Sequence, residues 1–151
     1  MKKNLFIYKS PFGDLGCLFD RGGFLIKIAL LNRVSERTDF HPFFEELHDF
    51  FEGSLKIFKQ RYKIMAGTGF EREVWDTLKD IPYGETKTYK WLADRIGRQK
   101  AFRAVGQALK KNPLPIIIPC HRVICSNGFI GGFLWGIEIK RFLLDHERAN
   151  F

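Results

Sequence analysis

A thiol, an imidazole and a guanidinium follow one another in the sequence at Cys120, His121 and Arg122. A cysteine attacks electrophiles as its thiolate, whereas a free thiol has a pKa of about 8.5. An imidazole or a guanidinium close to the sulfur increases the thiolate fraction near neutral pH. The three residues therefore predict a nucleophilic cysteine. Because neighbours on an extended strand point to opposite sides, a bridging water is an expected route between Cys120 and His121.

The segment before Cys120 is predicted to be a short buried strand. It reads Leu114-Pro115-Ile116-Ile117-Ile118-Pro119, a β-branched run held between prolines. Side chains that branch at Cβ favour strands, and proline is confined to strand edges and ends. Such a strand would deliver Cys120 at its end.

Two short helices are predicted upstream of this strand. Thr88 can cap the first helix, which runs through Ile96 and ends at Gly97. The second helix stops at Asn112-Pro113, because proline cannot continue a helix. Apolar residues at helical spacing support both helices: Leu92, Ala93 and Ile96 are expected to face inward in the first, and Phe102, Val105 and Leu109 indicate the second.

The positive charge of the chain is concentrated on these helices. The segment from Lys87 to Arg122 holds nine basic residues and one acid, Asp94, so its excess of +8 equals the net charge of the whole chain. Concentrated positive charge is typical of phosphate binding. Two short helices about a glycine-containing turn then indicate a helix-turn-helix whose second helix carries Arg103 toward DNA. A helical hairpin with a solvated basic surface is the alternative.

The N-terminal part of the chain predicts a small strand-and-helix domain. Short apolar runs from Leu5 to Ile28 are separated by two turn sequences, which indicates antiparallel strands joined by hairpins. Residues 41–51 carry phenylalanine and leucine at helical spacing. Gly53 follows where a C-terminal cap would lie.

A domain boundary is predicted just before Thr68. Thr68 and Glu71 form the capping-box pattern that opens a helix, expected from about Phe70 to Lys79. A chain of 151 residues can bury one good core or two small ones. We therefore place an N-terminal α/β domain at residues 1–66 and a second domain at residues 67–151.

Composition argues against several other classes of protein. No apolar run approaches the roughly 20 residues that cross a bilayer, and the start of the chain does not read as an export signal, so a cytoplasmic protein is expected. The cysteines, Cys17, Cys120 and Cys125, are odd in number and lack close-paired spacing, which argues against a disulfide scaffold. His41 and His48 lie seven apart without nearby cysteine pairs, so no metal is expected. No glycine-rich loop or other cofactor motif is present, and no cofactor is expected.

The residues around the cysteine also resemble a known family. Pro119-Cys120-His121-Arg122-Val123 is similar to the active-site motif of the O6-alkylguanine-DNA alkyltransferases, also called methylated-DNA–protein-cysteine methyltransferases. The resemblance is strong from Thr68 to Glu147 and weaker from Leu5 to Met65. The motif lies in an ordered series of matching segments: Ser10-Pro11-Phe12-Gly13, Ile81-Pro82-Tyr83-Gly84-Glu85-Thr86 with Tyr89, Arg103-Ala104-Val105-Gly106, Asn112-Pro113-Leu114-Pro115-Ile116, Gly131-Gly132, and Lys140-Arg141-Phe142-Leu143-Leu144-Asp145-His146-Glu147.

The resemblance implies a single-turnover repair reaction in which Cys120 accepts an alkyl group from O6 of guanine in DNA. Activity on O4-methylthymine stays open. His121 matches the residue that takes the thiol proton through water, and Glu147 matches the carboxylate that orients and charges that histidine. Asn112 matches the residue that ties the helix-turn-helix to the active-site strand through backbone hydrogen bonds.

The resemblance also implies a fold and a mode of DNA binding. An α+β protein is expected, with a ribonuclease H-like N-terminal domain and a winged-helix-like helix-turn-helix domain that carries the cysteine. A monomer would lay its second helix in the minor groove of double-stranded DNA. Tyr89 matches the tyrosine that helps to expel the target nucleotide, and Arg103 the arginine that takes its place in the stack. The other expected DNA contacts are Thr88, Arg98, Lys100, Ala104 and Gly106, and the expected base pocket comprises Tyr89, Val123, Phe133, Leu134 and Trp135.

Two departures from the family pattern leave local questions open. Gly69 stands where many members have proline, and Phe133-Leu134-Trp135-Gly136 is a bulkier loop over the base pocket, in which Trp135 either narrows the pocket or caps the core. From the residues alone, three other functions also compete. They are a DNA-binding regulator with an inert Cys120, a hydrolase that uses Cys120 with His121, and a metal pair of Cys120 with Cys125.

Overall fold

A three-stranded antiparallel sheet forms the first part of the chain, which the computed structural model describes over residues 4–151. The strands are Asn4–Ser10 (β1), Gly13–Phe19 (β2) and Leu25–Leu30 (β3). The antiparallel strands predicted between Leu5 and Ile28 are thus confirmed. The chain divides into two units between Met65 and Ala66, and this sheet belongs to the first.

One helix of the first unit, Phe43–Glu52 (α1), contacts the sheet through aromatic side chains. Gly53 ends the helix with a φ of 89°, in the left-handed region that glycine enters without strain. The ring of Phe44 lies 5.2 Å from the ring of Tyr8 in β1, in an edge-to-face contact. The buried face of the helix comprises Phe43, Phe44, Leu47 and Phe50, so the predicted helix and its cap are confirmed.

The second unit opens with the helix Gly69–Leu78 (α2). The predicted capping box is present: the Glu71 N–H donates to Oγ1 of Thr68 at 3.1 Å, and the Thr68 N–H donates to Oε1 of Glu71 at 2.9 Å. On the buried face, Nε1–H of Trp75 donates to the carbonyl of Ala108 at 2.8 Å. This hydrogen bond fixes α2 against a later helix of the same unit.

Two short helices follow, Tyr89–Arg95 (α3) and Phe102–Lys110 (α4). Thr88 caps the first as predicted, because its Oγ1 accepts from the Trp91 N–H at 2.9 Å. The second helix is present as predicted, although the side chain of Phe102 is 44% exposed. Phe102 begins the helix, and burial starts only one turn later. The buried residues of α4 are Val105, Ala108 and Leu109.

Residues 114–118 form turns in place of the predicted strand. The Ile118 N–H donates to the carbonyl of Leu114 at 2.8 Å, which closes a five-residue turn. Ile116 has a φ of 76°, a conformation that side chains branched at Cβ rarely adopt. The prolines of this stretch have no N–H to donate to a sheet. The apolar run is largely buried, as a buried strand would be. It has no strand partner among the described residues.

Cys120 begins a 3₁₀ turn, Cys120–Arg122, and does not end a strand as predicted. Directly after it, Val123–Ile124 (β5) pairs in parallel with Lys87–Thr88 (β4), which precedes α3. The helix Ile137–Ala149 (α5) is the longest of the five helices that the described residues form. None of those five is long and apolar enough to cross a membrane.

Candidate active site

The thiol of Cys120 is buried at the start of the 3₁₀ turn. The residue is 3% exposed, and its N–H donates to the carbonyl of Ile118 at 2.8 Å around Pro119, which forms an inverse γ-turn. Burial raises the pKa of the Cys120 thiol to about 11, although a hydrogen bond from Asn112 and the charge of Lys140 oppose the rise. The resting side chain is therefore a neutral thiol near pH 7, and its reaction as a thiolate requires a base.

The residue after the thiol, His121, is fully buried and is held by Glu147 of α5. Nε2 of His121 lies 2.5 Å from Oε2 of Glu147. The same carboxylate accepts from Nε of Arg122 at 2.8 Å and from the Gly84 N–H at 3.1 Å. Burial favours a raised pKa for Glu147, but the hydrogen bonds and charges of His121 and Arg122 together lower that pKa to about 2.

The guanidinium of Arg122 is committed to Glu147 and to the backbone. Its Nη2 donates to Oε2 of Glu147 at 3.1 Å, and its Nη1 donates to the carbonyl of Ile81 at 2.7 Å. An arginine is charged at every accessible pH, so Glu147 stays ionised whether or not His121 carries an extra proton. Arg122 therefore stabilises the carboxylate, and its charge also helps to lower the pKa of His121.

The geometry also fixes which nitrogen of His121 can act as a base. Burial, which outweighs the opposing effect of Glu147, lowers the pKa of His121, so its imidazole is neutral near pH 7. An ionised carboxylate can only accept a hydrogen bond, and the proton of the neutral ring therefore lies on Nε2. Nδ1 keeps its lone pair and has no hydrogen-bond partner within residues 4–151. That nitrogen is free to take a proton.

The side chain of Asn112 holds the turns that lead to Cys120. Its Nδ2–H donates to the carbonyl of Ile118 at 2.8 Å, and its Oδ1 accepts from the Leu114 N–H at 3.0 Å. Asn112 comes directly after Lys111, the C-terminal cap of α4, and is 3% exposed. Its side chain thus provides hydrogen bonds to the backbone that a neighbouring strand would have provided.

A cavity of about 350 Å³ opens beside Cys120. Of the predicted pocket residues, Val123 and Trp135 are not part of its lining. Val123 is fully buried in β5, and the ring of Trp135 lies 5.9 Å from that of Phe133. The cavity is lined by Tyr89, Arg103, Gly106, Gln107, Leu109, Lys110, Cys120, Cys125, Gly131, Gly132, Phe133 and Leu134.

The predicted DNA contacts other than Tyr89 lie on α4 and on the turn before it, apart from Thr88 at the start of α3. Thr88 is partly buried at its cap position. Within α4, Gly106 has no described atom within 4 Å of the place where a Cβ would lie. A glycine inside a helix costs about 1 kcal/mol relative to alanine, and packing within the chain does not require this one. The exposed members of the set are Arg98, Lys100, Arg103 and Ala104.

Sequence reasoning assigned no role to Lys140, although the structure places it at the site. Lys140 is fully buried, and its Nζ donates to the carbonyls of Val123 at 2.6 Å and Gly132 at 3.0 Å. Burial lowers the pKa of Lys140 to about 8. A signal was available in the helical spacing, because the buried face of α5 comprises Lys140, Leu143, Leu144 and Glu147.

The remaining thiols lie in different surroundings. Cys17 is fully buried in β2, and burial raises its pKa to about 12, so it is an inert core thiol. Cys125 is half-buried and lines the cavity with Cys120. Over residues 4–151, no three His, Cys, Asp or Glu side chains cluster as a metal ion would need.

A buried cysteine and an adjacent histidine–carboxylate pair lie beside a cavity that a basic helix also lines, an arrangement typical of proteins with a nucleophilic cysteine. The family model described as "6-O-methylguanine DNA methyltransferase, DNA binding domain" matches residues 69–149. A methylated-DNA–protein-cysteine methyltransferase of Methanosarcina acetivorans is 41% identical over 150 residues, which cover 93% of this chain and 96% of that protein. The chain belongs to the family of methylated-DNA–protein-cysteine methyltransferases, which confirms the resemblance inferred from the sequence.

Solved structures agree with this assignment. The crystal structure of Mycobacterium tuberculosis O6-methylguanine methyltransferase is similar with a TM-score of 0.86 and 36% identity, over 99% of this chain and 95% of that one. That of Mycobacterium tuberculosis OGT in complex with DNA has a TM-score of 0.85 and 38% identity, over 95% and 92% of the two chains.

Proposed function

We propose that the protein repairs alkylated DNA by direct reversal, moving an alkyl group from O6 of guanine to Sγ of Cys120. The observation that carries the proposal is the buried Cys120 beside the His121–Glu147 pair, open to a cavity that Arg103 also lines. The product is a thioether, and no group of this chain can return it to a thiol. Each molecule therefore acts once. O4-methylthymine, which also carries an alkylated oxygen, is a further candidate substrate.

The proposed reaction begins with a proton transfer. The thiol proton of Cys120 passes through a bridging water to Nδ1 of His121, and Glu147 stabilises the imidazolium that forms. The sulfur then attacks the alkyl carbon, so that an S–C bond forms while the C–O6 bond breaks. The electron pair of the broken bond goes to guanine, which regains one proton at N1. The proton lost by the thiol balances the proton gained by the base.

Tyr89 and Lys140 complete the proposed site around the base. Burial raises the pKa of Tyr89, so its phenol stays protonated and can donate a hydrogen bond to guanine as negative charge develops. Lys140 joins β5 to the loop at Gly132 and thereby holds one wall of the cavity. Phe133 and Leu134 in the same loop supply the apolar contacts for the alkyl group.

We further propose that a monomer binds double-stranded DNA with α4 in the minor groove. The open space over Gly106 would admit the DNA backbone, and Arg98, Lys100 and Arg103 would contact phosphates or fill the stack. Thr88 and Ala104 would lie at the edges of this contact. Residues 67–151 then form a winged-helix-like DNA-binding and alkyl-acceptor domain, and residues 1–66 form a ribonuclease H-like domain. The short β4–β5 pair beside α3 supports the first assignment, and the three-stranded sheet with α1 supports the second.

The direct test is the stoichiometry of transfer. We expect incubation with duplex containing O6-methylguanine to add one methyl group per molecule, measured by intact mass spectrometry, with a plateau at about one equivalent. Peptide mapping should place the methyl group on Cys120. Turnover that continues beyond one equivalent, or a methyl group elsewhere, would contradict the mechanism.

Extrusion of the target nucleotide makes a second prediction. O6 of guanine faces the major groove, so a cysteine that approaches from the minor-groove side needs the nucleotide rotated out, at a cost of a few kcal/mol. If Arg103 fills the gap and Tyr89 drives the rotation, Arg103→Ala should slow transfer from duplex far more than from a single strand or from free O6-methylguanine. Tyr89→Phe also removes the phenol proposed to contact guanine, so it should slow transfer from all three substrates, and from duplex the most. Lys100→Ala is the control, because it also removes one positive charge. A saturating concentration of DNA should restore the transfer rate of this variant to the native value. Equal slowing on all three substrates would refute the roles of Arg103 and Tyr89 in extrusion.

A further inference from the structure

Phe102 is an exposed aromatic ring at the start of the helix that carries Arg103. Its side chain is 44% exposed, whereas the apolar face of α4 is buried from Val105 onward. None of the aromatic or cation–π contacts among the described residues engages this ring. A single exposed apolar residue is ordinary on a protein surface, so its surroundings must decide what it contacts.

The sequence on both sides of Phe102 is basic. The sequence contains no acidic residue from Arg95 to Arg122, and the exposed side chains next to the ring in sequence include Lys100 and Arg103. One turn further along α4, Gly106 presents no side chain and has open space above it. An apolar ring within a basic stretch of sequence fits a polyanion that also offers apolar surface. Duplex DNA, with phosphates outside and sugar and base edges inside its grooves, has both.

We propose that Phe102 is an apolar wedge that enters the minor groove next to Arg103 and packs against the base step beside the extruded nucleotide. This inference rests on the proposed binding of α4 in the minor groove. Proteins that bind this groove often insert phenylalanine or another apolar side chain at a base step and unstack it in part. A step that has lost a neighbouring base is already partly unstacked. Phe102 covers its apolar surface there, while the basic residues hold the phosphates.

The test compares the salt dependence of binding to unmodified duplex. Phe102→Ala should weaken binding about tenfold at a given salt concentration, because it removes an aromatic contact. The slope of log affinity against log salt should stay that of the native protein, since no phosphate contact is lost. Lys100→Ala should both weaken binding and flatten the slope. Phe102→Leu should retain most of the affinity, because it keeps an apolar side chain of similar reach.

The matched control is Phe129→Ala. Phe129 is 73% exposed, lies in the turn after β5 and should not affect DNA affinity. An affinity of Phe102→Ala within twofold of native, a flattened slope for it, or a marked fall in its Tm would each overturn the wedge assignment. The proposed function is tested separately by transfer from free O6-methylguanine to the native protein, which involves no groove.

Discussion

A Cys120→Ala variant is expected to transfer no alkyl group and to bind duplex DNA with native affinity. The thiol is the acceptor atom, so its removal leaves no bond to form. The residue is 3% exposed beneath the cavity, whereas the charges expected to bind phosphate lie on the exposed face of α4 and the turn before it. Intact mass spectrometry after incubation with methylated duplex, together with a binding isotherm, measures both expectations.

Cys125→Ala is the matched control for Cys120→Ala, because its thiol lines the same cavity. We expect it to retain transfer of one methyl group per molecule. Cys120→Ser separates nucleophilicity from shape, since a hydroxyl of similar size is a far weaker nucleophile at neutral pH. Methylation that persists in Cys120→Ala and is lost in Cys125→Ala would move the acceptor role to Cys125. A large loss of DNA affinity in Cys120→Ala would show that the residue supports the binding surface.

The elements with local signals were the ones that sequence analysis predicted well. Thr68 and Thr88 each accept a hydrogen bond from a backbone N–H three residues later, and those bonds depend on residues that are close in the sequence. Gly53 likewise ends α1 through its own backbone conformation. Such features require no knowledge of the rest of the fold, and the helices α1, α2 and α3 were therefore predictable.

The approach to Cys120 was mispredicted because its backbone is hydrogen-bonded to a side chain instead of to a neighbouring strand. A β-branched apolar run favours a strand, and burial of the run satisfies the same pattern. The decisive partner is Asn112, whose amide bonds with the backbone of both Leu114 and Ile118. Strand propensity depends on residue type alone and does not reflect a hydrogen bond from one particular side chain to the backbone. The resulting 3₁₀ turn places His121 against α5, where its partner Glu147 lies 26 residues further along the chain.

The burial of Lys140 was the other feature that sequence analysis did not predict. Lys140 belongs to a segment that matches the family, but it received no role. Lysine is almost never fully buried unless it is paired, so an exposed side chain was the natural expectation. In the structure its ammonium donates to two carbonyls, those of Val123 and Gly132, in place of water. The spacing from Lys140 to Glu147 was visible in the sequence, but only the fold shows that this stripe faces inward.

Replacing Glu147 by glutamine is expected to reduce both stability and transfer. The carboxylate is the counter-charge of Arg122, which is 8% exposed, so glutamine leaves a buried guanidinium without its ion partner. Breaking a buried pair in this way costs about 3–5 kcal/mol, a large share of the stability of a small protein. Denaturant unfolding should show that loss. Asp145→Asn is the matched control on the same helix, because its pair with Arg148 is exposed, and its effect should stay within about 0.5 kcal/mol.

The pH dependence of the unfolding free energy provides a second test of the Glu147 carboxylate, separate from the loss of stability at neutral pH. The pKa of Glu147 falls from its ordinary value of 4.5 to about 2 in the folded chain, so the folded state binds this proton less readily than the unfolded state. The ionised group therefore stabilises the native protein above about pH 4.5, and that contribution is lost as the pH falls toward 2. In Glu147→Gln this acid-dependent loss should be absent, and the unfolding free energy should vary less over that range.

At neutral pH, transfer from free O6-methylguanine should slow on the order of 10²-fold, since His121 loses the charge that stabilises its protonated form. A variant whose unfolding free energy falls between about pH 4.5 and about pH 2 as steeply as that of the native protein, and which transfers at the native rate, would remove Glu147 from both roles.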